Sequence, residues 1–390
     1  MTLEGALIIS LSRNFWDEVW RSRHQVMSRL ARHNQVVFVS RPLKLDQALP
    51  WRTPQSPLRT SGPHQINDNL VAYVPSRFLP SVFSMPRLEA AFDAGRRRML
   101  ERFARRWRDR PRVVYLWDPA YEKYIDAFGD SVVCYHLFDD LAGYGDVRDP
   151  VKERALERIF ARADLVFVAS RALAERYQAF GNVHWVPNGV DYELYATAPA
   201  GGFPEPLDLA AIACPRLGYA GTMRNQIDMV LLREVALARP EWSLVLIGDV
   251  SRSGGDNSDF RQLLDLPNVH PLGRKQMHEM PAYLHHLDVG LLPYRLDGAA
   301  QFCYPLKMHE YLAAGLPVVS TGIEAIREFD TVITVASGAR AWMSAIEAAL
   351  ADTHAANRAE RQLVAHSNSW DARAEQISAL VAGSGRRGTV

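Results

Sequence analysis

Several short segments combine side chains that could do chemistry. In Gly218-Tyr-Ala-Gly-Thr-Met-Arg224, an apolar run ends in Gly221 and Thr222, and a helical pattern follows. A glycine at this point would let backbone N–H groups approach a phosphate, and Arg224 could bind that phosphate through two parallel hydrogen bonds. Many strands end in a glycine, so an ordinary structural role for this segment has about equal support.

A second segment, Tyr304 to Val319, has the pattern of a short helix over about 305–314, with Gly315 placed to end it. Lys307 lies in the first turn, where a cation opposes the helix dipole, and a bound anion would remove that conflict. Glu310 lies one turn further along the same face and could accept hydrogen bonds from two ribose hydroxyls. The alternative is a Lys–Glu pair on the surface.

A third segment, Tyr135 to Tyr144, contains Asp139 and Asp140 directly after an apolar run. Either carboxylate could be a general base or bind acceptor hydroxyls, although Asp is also a common helix N-cap. His136 could contact a substrate, or it could simply be packed at the end of a strand. The nearby turn Val186-Pro-Asn-Gly-Val-Asp191 is better explained as structural.

The elements that must position these residues alternate along the chain. Short, continuous apolar runs are separated by helical patterns, which is typical of parallel sheets covered on both faces. Two such series predict an α/β protein with two doubly wound domains. The runs begin at Ala6, Val36, Val113, Val132, Leu165 and Val183 in the first series, and at Leu217, Leu244, Val289 and Pro317 in the second.

The boundary between the two series is predicted where periodicity stops and Pro, Gly and Ala accumulate. The predicted ranges are a first domain over 1–195, a linker over 196–212, a second domain over 213–368, and a last helix over 369–382 that crosses back to the first domain.

The composition is that of a globular protein: 390 residues, 48% hydrophobic and 23% charged. No run of 18 apolar residues occurs, and the three scattered cysteines argue against a disulfide framework, so we expect a cytoplasmic location. The net charge is +7 over residues 1–180 and −6 over residues 181–390. The basic first half suggests an anionic partner or surface there.

Taken in order, these motifs resemble those of GT-B glycosyltransferases of the family 4 kind, close to enzymes that extend bacterial surface polysaccharides. The resemblance covers about residues 1–380. Its most specific part is Pro-Leu-Lys-x-x-Glu-Tyr-Leu-Ala-Ala-Gly-Leu-Pro-Val-Val, residues 305–319. The supporting motifs are Tyr-x-x-x-Asp-Asp, Val-Pro-Asn-Gly-Val-Asp, Gly-Tyr-x-Gly-Thr, Leu-Ile-Gly248, Asn268-Val-His-Pro-Leu-Gly273 and Asp288-Val-Gly-Leu-Leu-Pro-Tyr294.

The resemblance implies two Rossmann-like domains facing across a cleft. It also implies transfer of a hexosyl unit from a nucleotide-diphosphate sugar, bound by the second domain, to a glycan or lipid-linked acceptor on the first domain. No metal or further cofactor is expected. The implied donor contacts are Gly221, Thr222, Arg224, Tyr304, Lys307 and Glu310; the implied acceptor contacts are Arg13, Asn14 and His136; the implied catalytic carboxylates are Asp139 and Asp140.

One position departs from the resemblance. The family often places a second Glu eight residues before the ribose-binding one, and Phe302 stands there in this chain. The implied sugar contacts near Phe302 must therefore differ. In a related inverting type, an Asp after the matching strand is the base, and Asp139 occupies that place, so we rank Asp139 above Asp140.

Residues 87–112 hold ten Arg and four acidic residues. An apolar stripe, Leu88, Phe92, Met99, Phe103 and Trp107, runs along the predicted helix there. Such a helix could lie on an anionic membrane at its inner face, or it could be an ordinary outer helix with the stripe towards the core. No nucleic-acid-binding motif is present, so nucleic acid is not an expected partner.

Two other functions remain compatible with the motifs. A nucleotide-sugar epimerase on the same fold would need no acceptor and would release a free epimer. A non-catalytic partner would bind the nucleotide sugar without consuming it, and the departure at Phe302 motivates that alternative.

Overall fold

The computed structural model describes residues 2–49, 55–138, 150–198, 202–249, 258–296 and 304–384. The chain divides into two compact units. Unit 1 comprises Met1–Pro187 and Arg373–Val390, and unit 2 comprises Asn188–Ala372. Each unit has its own sheet with helices around it, which confirms the predicted α/β fold with two parallel-sheet domains.

The described part of unit 1 contains an eight-stranded sheet in the order β3-β4-β2-β1-β5-β6-β7-β8. All neighbouring pairs are parallel except the hairpin of β3 and β4. The strands are β1 (Leu7–Leu11), β2 (Gln35–Val39), β3 (Gly62–Asn67), β4 (Leu70–Val74), β5 (Arg112–Leu116), β6 (Val132–Leu137), β7 (Leu165–Val168) and β8 (Val183–Trp185).

The chain builds this sheet outwards from β1, first towards β4 and then, from β5 onwards, on the other side. The order therefore reverses between β1 and β5, and the carboxyl ends of strands at such a reversal are where open α/β sheets bind ligands. The described α-helices of unit 1 before Pro187 are α1 (Ser22–Leu30), α2 (Pro86–Ala104), α3 (Pro150–Arg162) and α4 (Arg171–Tyr177).

Unit 2 has a six-stranded parallel sheet among its described residues, in the order β11-β10-β9-β12-β13-β14. Its reversal lies between β9 and β12, which places the segments after these two strands at a second ligand-binding edge. The strands are β9 (Arg216–Ala220), β10 (Ser243–Ile247), β11 (Val269–Gly273), β12 (Val289–Leu292), β13 (Val318–Ser320) and β14 (Ile333–Val335).

Nine further α-helices lie among the described residues. They are α5 (Tyr192–Ala196), α6 (Leu207–Ala210), α7 (Met229–Ala238), α8 (Ser258–Leu264), α9 (Met280–Leu284), α10 (Leu306–Ala313), α11 (Ala339–Ala351), α12 (Ala355–Ser367) and α13 (Trp370–Ser384). α13 begins in unit 2, and its residues from Arg373 onwards belong to unit 1.

The structure differs from the sequence prediction in two places. The division between the units falls after Pro187, whereas the expected linker over 196–212 lies inside unit 2 and contains the short helix α6. The hairpin of β3 and β4 and the strands β11 and β14 were not predicted. Most of these strands are short or alternate between exposed and half-buried residues, so they lack a continuous apolar run.

Candidate functional site

The ends of β9 and β10 approach each other closely in unit 2. Gly221 follows β9 with φ +148°, and its N–H donates to the Ile247 carbonyl over 2.7 Å. Gly248 follows β10 with φ +141°, and a Cβ atom built on it would lie 2.2 Å from the Gly221 carbonyl oxygen. Only glycine suits both the backbone conformation and this close approach, so these strand ends present bare backbone.

Lys307 lies directly over this backbone. Its Nζ donates to the Tyr219 hydroxyl over 2.8 Å and sits 4.3 Å from the centre of the Tyr219 ring. A Cβ atom on Gly221 would lie only 2.3 Å from the same Nζ. The ring and the hydroxyl hold the ammonium in the first turn of α10, where the helix dipole by itself disfavours a cation. An ammonium, a helix N-terminus and an open glycine backbone together form an environment suited to an anion.

Glu310 lies one turn along α10 and is half-buried. Burial raises the pKa of its carboxyl group, while the charge of Lys307 and a hydrogen bond from Tyr195 act in the opposite direction without cancelling that effect. The carboxyl group is therefore close enough to Lys307 for electrostatic coupling. It is also an acceptor that polar hydroxyls of a ligand could share with Tyr195.

The other expected donor contacts are placed differently. Thr222 is exposed, and its carbonyl accepts from the Tyr219 hydroxyl over 3.3 Å. The Arg224 side chain is also exposed and forms no ion pair in the part of the chain that the structure describes. Tyr304 is buried, and its hydroxyl forms a 2.8 Å hydrogen bond with His309, so its side chain belongs to the core of unit 2.

Tyr219 is a candidate site residue that sequence reasoning missed. Side chains two apart on a strand point to the same face, so Tyr219 and Gly221 share a face at the end of β9. A tyrosine two residues before a strand-end glycine was therefore the available signal. Tyr311 of α10 also reaches this edge, since its hydroxyl accepts a 2.7 Å hydrogen bond from the N–H of Ala220.

In unit 1, His136 is packed inside the protein near the end of β6. It is buried, hydrogen-bonded to the Tyr115 hydroxyl over 2.8 Å, and stacked on Trp117 with ring centres 4.6 Å apart. Burial lowers its pKa to about 3, so it is neutral near pH 7. Its ring is enclosed by aromatic neighbours, which favours packing over a direct acceptor contact, and that contact stays a prediction.

Arg13 and Asn14 lie in the segment after β1. Arg13 is half-exposed and has Asp118 3.6 Å away, whereas the Asn14 side chain donates to Glu18. Asp139 and Asp140 lie outside the described residues, as does Phe302. β6 ends at Leu137, so Asp139 follows the strand by two residues, and its role stays a prediction.

The basic segment over 87–112 forms α2 and a short 3-10 helix, Arg105–Trp107. Of the predicted apolar stripe, only Phe103 is buried, while Leu88 and Met99 are exposed. The inward face instead includes Asp93 and Arg96, which pair with each other. The stripe therefore faces inward only in part: Phe92 and Trp107 are half-buried, and the pair of Asp93 and Arg96 takes up the rest of the inward face.

The described residues contain no group of three or more His, Cys, Asp or Glu side chains that could hold a metal ion. They also contain no helix that is both long and apolar enough to span a bilayer.

Comparisons with known proteins give both a partial family match and a fold match. Residues 214–352 match the family described as Glycosyl transferases group 1, which is less than half of the chain. The chain is 33% identical over 183 residues to the "Putative teichuronic acid biosynthesis glycosyltransferase TuaH" of Bacillus subtilis (strain 168). That match covers 46% of this chain and 45% of the relative, so it spans less than half of the relative's own length.

Solved structures match over nearly the whole chain. Sucrose-phosphate synthase from Thermosynechococcus elongatus has a TM-score of 0.68 at 16% identity, covering 97% of this chain and 98% of its own. HepE of Anabaena in complex with UDP and glucose has a TM-score of 0.65 at 15% identity, covering 97% of this chain and 100% of its own. At these identities the matches establish the fold alone, and that fold is GT-B: two Rossmann-like domains in one chain.

Proposed function

We propose that the protein is a glycosyltransferase of the family 4 kind that moves a hexosyl unit from a nucleotide-diphosphate sugar to a glycan or lipid-linked acceptor. The observation that carries the proposal is the ammonium of Lys307, held by Tyr219 over the bare backbone of Gly221. This arrangement lies inside the segment matching Glycosyl transferases group 1. The similar TuaH is named for glycosyl transfer in teichuronic acid synthesis, and HepE binds UDP and glucose, which support the same assignment.

In the proposed reaction, the bond between the sugar C1 and the diphosphate oxygen breaks, and C1 bonds to an acceptor hydroxyl oxygen. The hydroxyl proton passes to a carboxylate, for which Asp139 is the predicted residue and Asp140 the second candidate. The nucleoside diphosphate leaves carrying the electron pair of the broken bond. Negative charge grows on its β-phosphate, where Lys307 would stabilise it with help from Arg224.

Glu310 is proposed to bind the ribose of the donor. Its carboxyl group is next to the Tyr195 hydroxyl and electrostatically coupled to Lys307, so it lies one helical turn from the proposed phosphate site. Ribose and diphosphate are adjacent in a nucleotide sugar, and contacts one turn apart on a helix suit that spacing.

The decisive experiment follows the fate of a nucleotide sugar labelled in the sugar. A transferase releases nucleoside diphosphate and a labelled glycoside only when an acceptor extract is added. An epimerase produces a free epimer without acceptor, and a non-catalytic partner binds the donor without turnover. Formation of a free epimer, or tight donor binding without product under every acceptor condition, would contradict the proposal.

Attachment to the inner face of an anionic membrane is a second part of the proposal. It is supported by α2, which exposes Arg98 and Arg102 together with Leu88 and Met99. Replacing Arg98, Arg102 and Arg105 with Gln should weaken sedimentation with anionic phospholipid vesicles and leave neutral vesicles unaffected. Equal sedimentation of the variant and the parent protein with anionic vesicles would remove this part of the proposal.

A further inference from the structure

Unit 1 contains a cavity of about 580 Å³ with a strongly cationic lining. Its walls come from α2 and from the segments after β1, β2 and β5. These three segments contribute Arg13, Arg41 and Lys123, in that order. The cavity therefore lies at the carboxyl ends of the strands beside the reversal of the sheet order, where ligands of such sheets bind. Its volume is within the range of small-molecule sites.

The two carboxylates in the lining, Glu89 and Asp93, are already neutralised. Arg96, whose side chain is only 4% exposed, donates to both of them and to the carbonyls of Leu79 and Pro80. The Lys123 ammonium approaches Asp93 to 2.8 Å. Arg96 and Lys123 therefore form part of the cavity wall, and the carboxylates of Glu89 and Asp93 balance their charges.

The remaining three cations have no such partners in the lining. Arg13 and Arg41 form only long ion pairs, with Asp118 at 3.6 Å and Glu18 at 3.9 Å, and both distances are beyond hydrogen-bond distance. Neither guanidinium donates a hydrogen bond to any residue in the described ranges, and Lys44, exposed, forms no ion pair there. The guanidinium of Arg41 stacks over Phe15 at 4.5 Å, which fixes its place at the cavity.

A dianionic ligand matches this lining better than a carboxylate does. Five cations and two carboxylates line the cavity, and even when Asp118 and Glu18 beside Arg13 and Arg41 are counted, the cations outnumber the carboxylates. A phosphate monoester carries nearly two negative charges near neutral pH, and a diphosphate carries more, whereas a carboxylate carries one. The planar guanidinium groups of Arg13 and Arg41 offer paired donors that fit phosphate oxygens.

Apolar side chains extend from the edge of the cavity. Phe83 lines it and is 71% exposed, and Met85 and Leu88 follow on the same segment, also exposed. An acceptor with a phosphate group and an apolar chain would bury both of its parts here, whereas a free sugar phosphate would use the cations alone.

We propose that this cavity binds the phosphate or diphosphate group of the acceptor. The inference rests on the proposed transferase function, and it assigns Arg41 and Lys44, together with Arg13, as the residues that bind this group. The source of the phosphate is a lipid carrier or a soluble sugar phosphate, and the apolar edge distinguishes the two by its effect on affinity.

The test is calorimetric titration with geranyl diphosphate, inorganic pyrophosphate and uncharged geraniol. It uses the full chain carrying Lys307→Ala, so that diphosphates cannot occupy the proposed donor site. Arg41→Gln and Lys44→Gln should each weaken binding of geranyl diphosphate about tenfold or more, because each removes a charge-assisted contact. Arg154→Gln, an exposed arginine on α3 outside the cavity, is the matched control and should bind normally.

Tighter binding of geranyl diphosphate than of pyrophosphate would assign a lipid carrier, and equal binding would assign a soluble phosphate. Both results support the phosphate site. Binding that is unchanged by Arg41→Gln and Lys44→Gln, or absent altogether, would overturn the inference. A parallel titration of the wild-type protein with nucleoside diphosphates tests the donor site separately. If the wild-type protein binds a nucleoside diphosphate but the cavity binds no geranyl diphosphate, only the inference about the cavity is overturned.

Discussion

The two units place ligand-binding features at the same point of their topology but build them from different materials. In unit 2, the edge beside the reversal is made of glycine backbone at Gly221 and Gly248, with Lys307 above it. In unit 1, the corresponding edge is a cavity lined by long cationic side chains such as Arg41 and Lys44. A site made of backbone fails when a methyl group is added, whereas a site made of flexible cations fails when charge is removed.

This difference also determines which kind of chemical group each site can recognise. Backbone N–H groups and one fixed ammonium recognise a group of constant shape, such as the diphosphate common to all nucleotide sugars. Side chains on surface segments recognise a more variable group and tolerate substitution more easily. We therefore expect substitutions at the unit 2 site, where one fixed charge and the backbone geometry both matter, to have larger effects than the removal of single charges at the unit 1 cavity.

The largest effect is expected from Lys307→Ala. Removing the ammonium takes away stabilisation of charge that develops in the transition state, so turnover should fall about 10²- to 10³-fold. The fold should persist, because Lys307 is half-buried and water can replace its hydrogen bond to the Tyr219 hydroxyl. Steady-state rates together with far-UV circular dichroism check this, and a folded variant with parental turnover would disprove the phosphate role.

Gly221→Ala should come next. The added methyl group would lie 2.3 Å from Lys307 Nζ and would force the backbone at φ +148°, so turnover should fall at least about tenfold through displacement of the lysine. Gly273→Ala is the control, because Gly273 also has a positive φ but nothing lies within 4 Å of its Cβ position. If both variants lose the same activity, backbone strain alone is the cause and the geometric argument fails.

Glu310→Gln tests the ribose contact at the edge of the same site. The amide keeps the shape but accepts more weakly than a carboxylate, so the Kd of the donor should rise about tenfold with a smaller change in kcat. Equal Kd values for the variant and the parent protein in a titration with the donor nucleotide would remove Glu310 from the site.

His136 gives the smallest predicted effect, and it concerns stability rather than catalysis. Its pKa is about 3 in the folded state against an ordinary value near 6.5, so the unfolded chain takes up a proton that the folded chain does not. The associated stability is present above pH 6.5 and is lost as the pH falls towards 3; between pH 7 and pH 5.5 the loss is about 1 kcal/mol.

Urea unfolding at pH 7 and pH 5.5 measures this loss, and His136→Gln should make the pH dependence shallower by about the same 1 kcal/mol. His24, also buried with its pKa lowered to about 4, remains in the variant and leaves a residual dependence of the same sign. An identical pH dependence in both proteins would mean that His136 is protonated in the folded state and accessible, which would reopen its role at the acceptor.

Much of the fold was predictable because strands buried on both faces are continuous apolar runs, as in Leu165–Val168 and Val289–Leu292. The hairpin strand β3 was not predictable in this way, since its residues alternate between exposed and half-buried and include Pro63. The inward face of α2 was predicted only in part for a different reason: Asp93 and Arg96 are buried there as a pair, and hydrophobic periodicity does not register buried charges.

The unit 2 site was largely visible in the sequence, because Lys307 in a first helical turn is an electrostatic conflict that indicates an anion. Tyr219 could not be identified from the sequence, since its place at the candidate site depends on its side chain contacting Lys307 of another element. The unit 1 cavity was also hidden, because its cations lie on segments far apart in the sequence and only the parallel sheet brings them together.

We propose that Lys307 and the Gly221 backbone bind the diphosphate of a nucleotide sugar. The most direct test titrates UDP, GDP, ADP and dTDP, with their monophosphates, into the parent protein, Lys307→Ala and Lys44→Gln. We expect that one nucleoside diphosphate binds more tightly than its monophosphate, that Lys307→Ala abolishes this preference, and that Lys44→Gln keeps it. A preference that survives Lys307→Ala, or no binding of any nucleotide to the parent protein, would show that Lys307 does not bind the diphosphate.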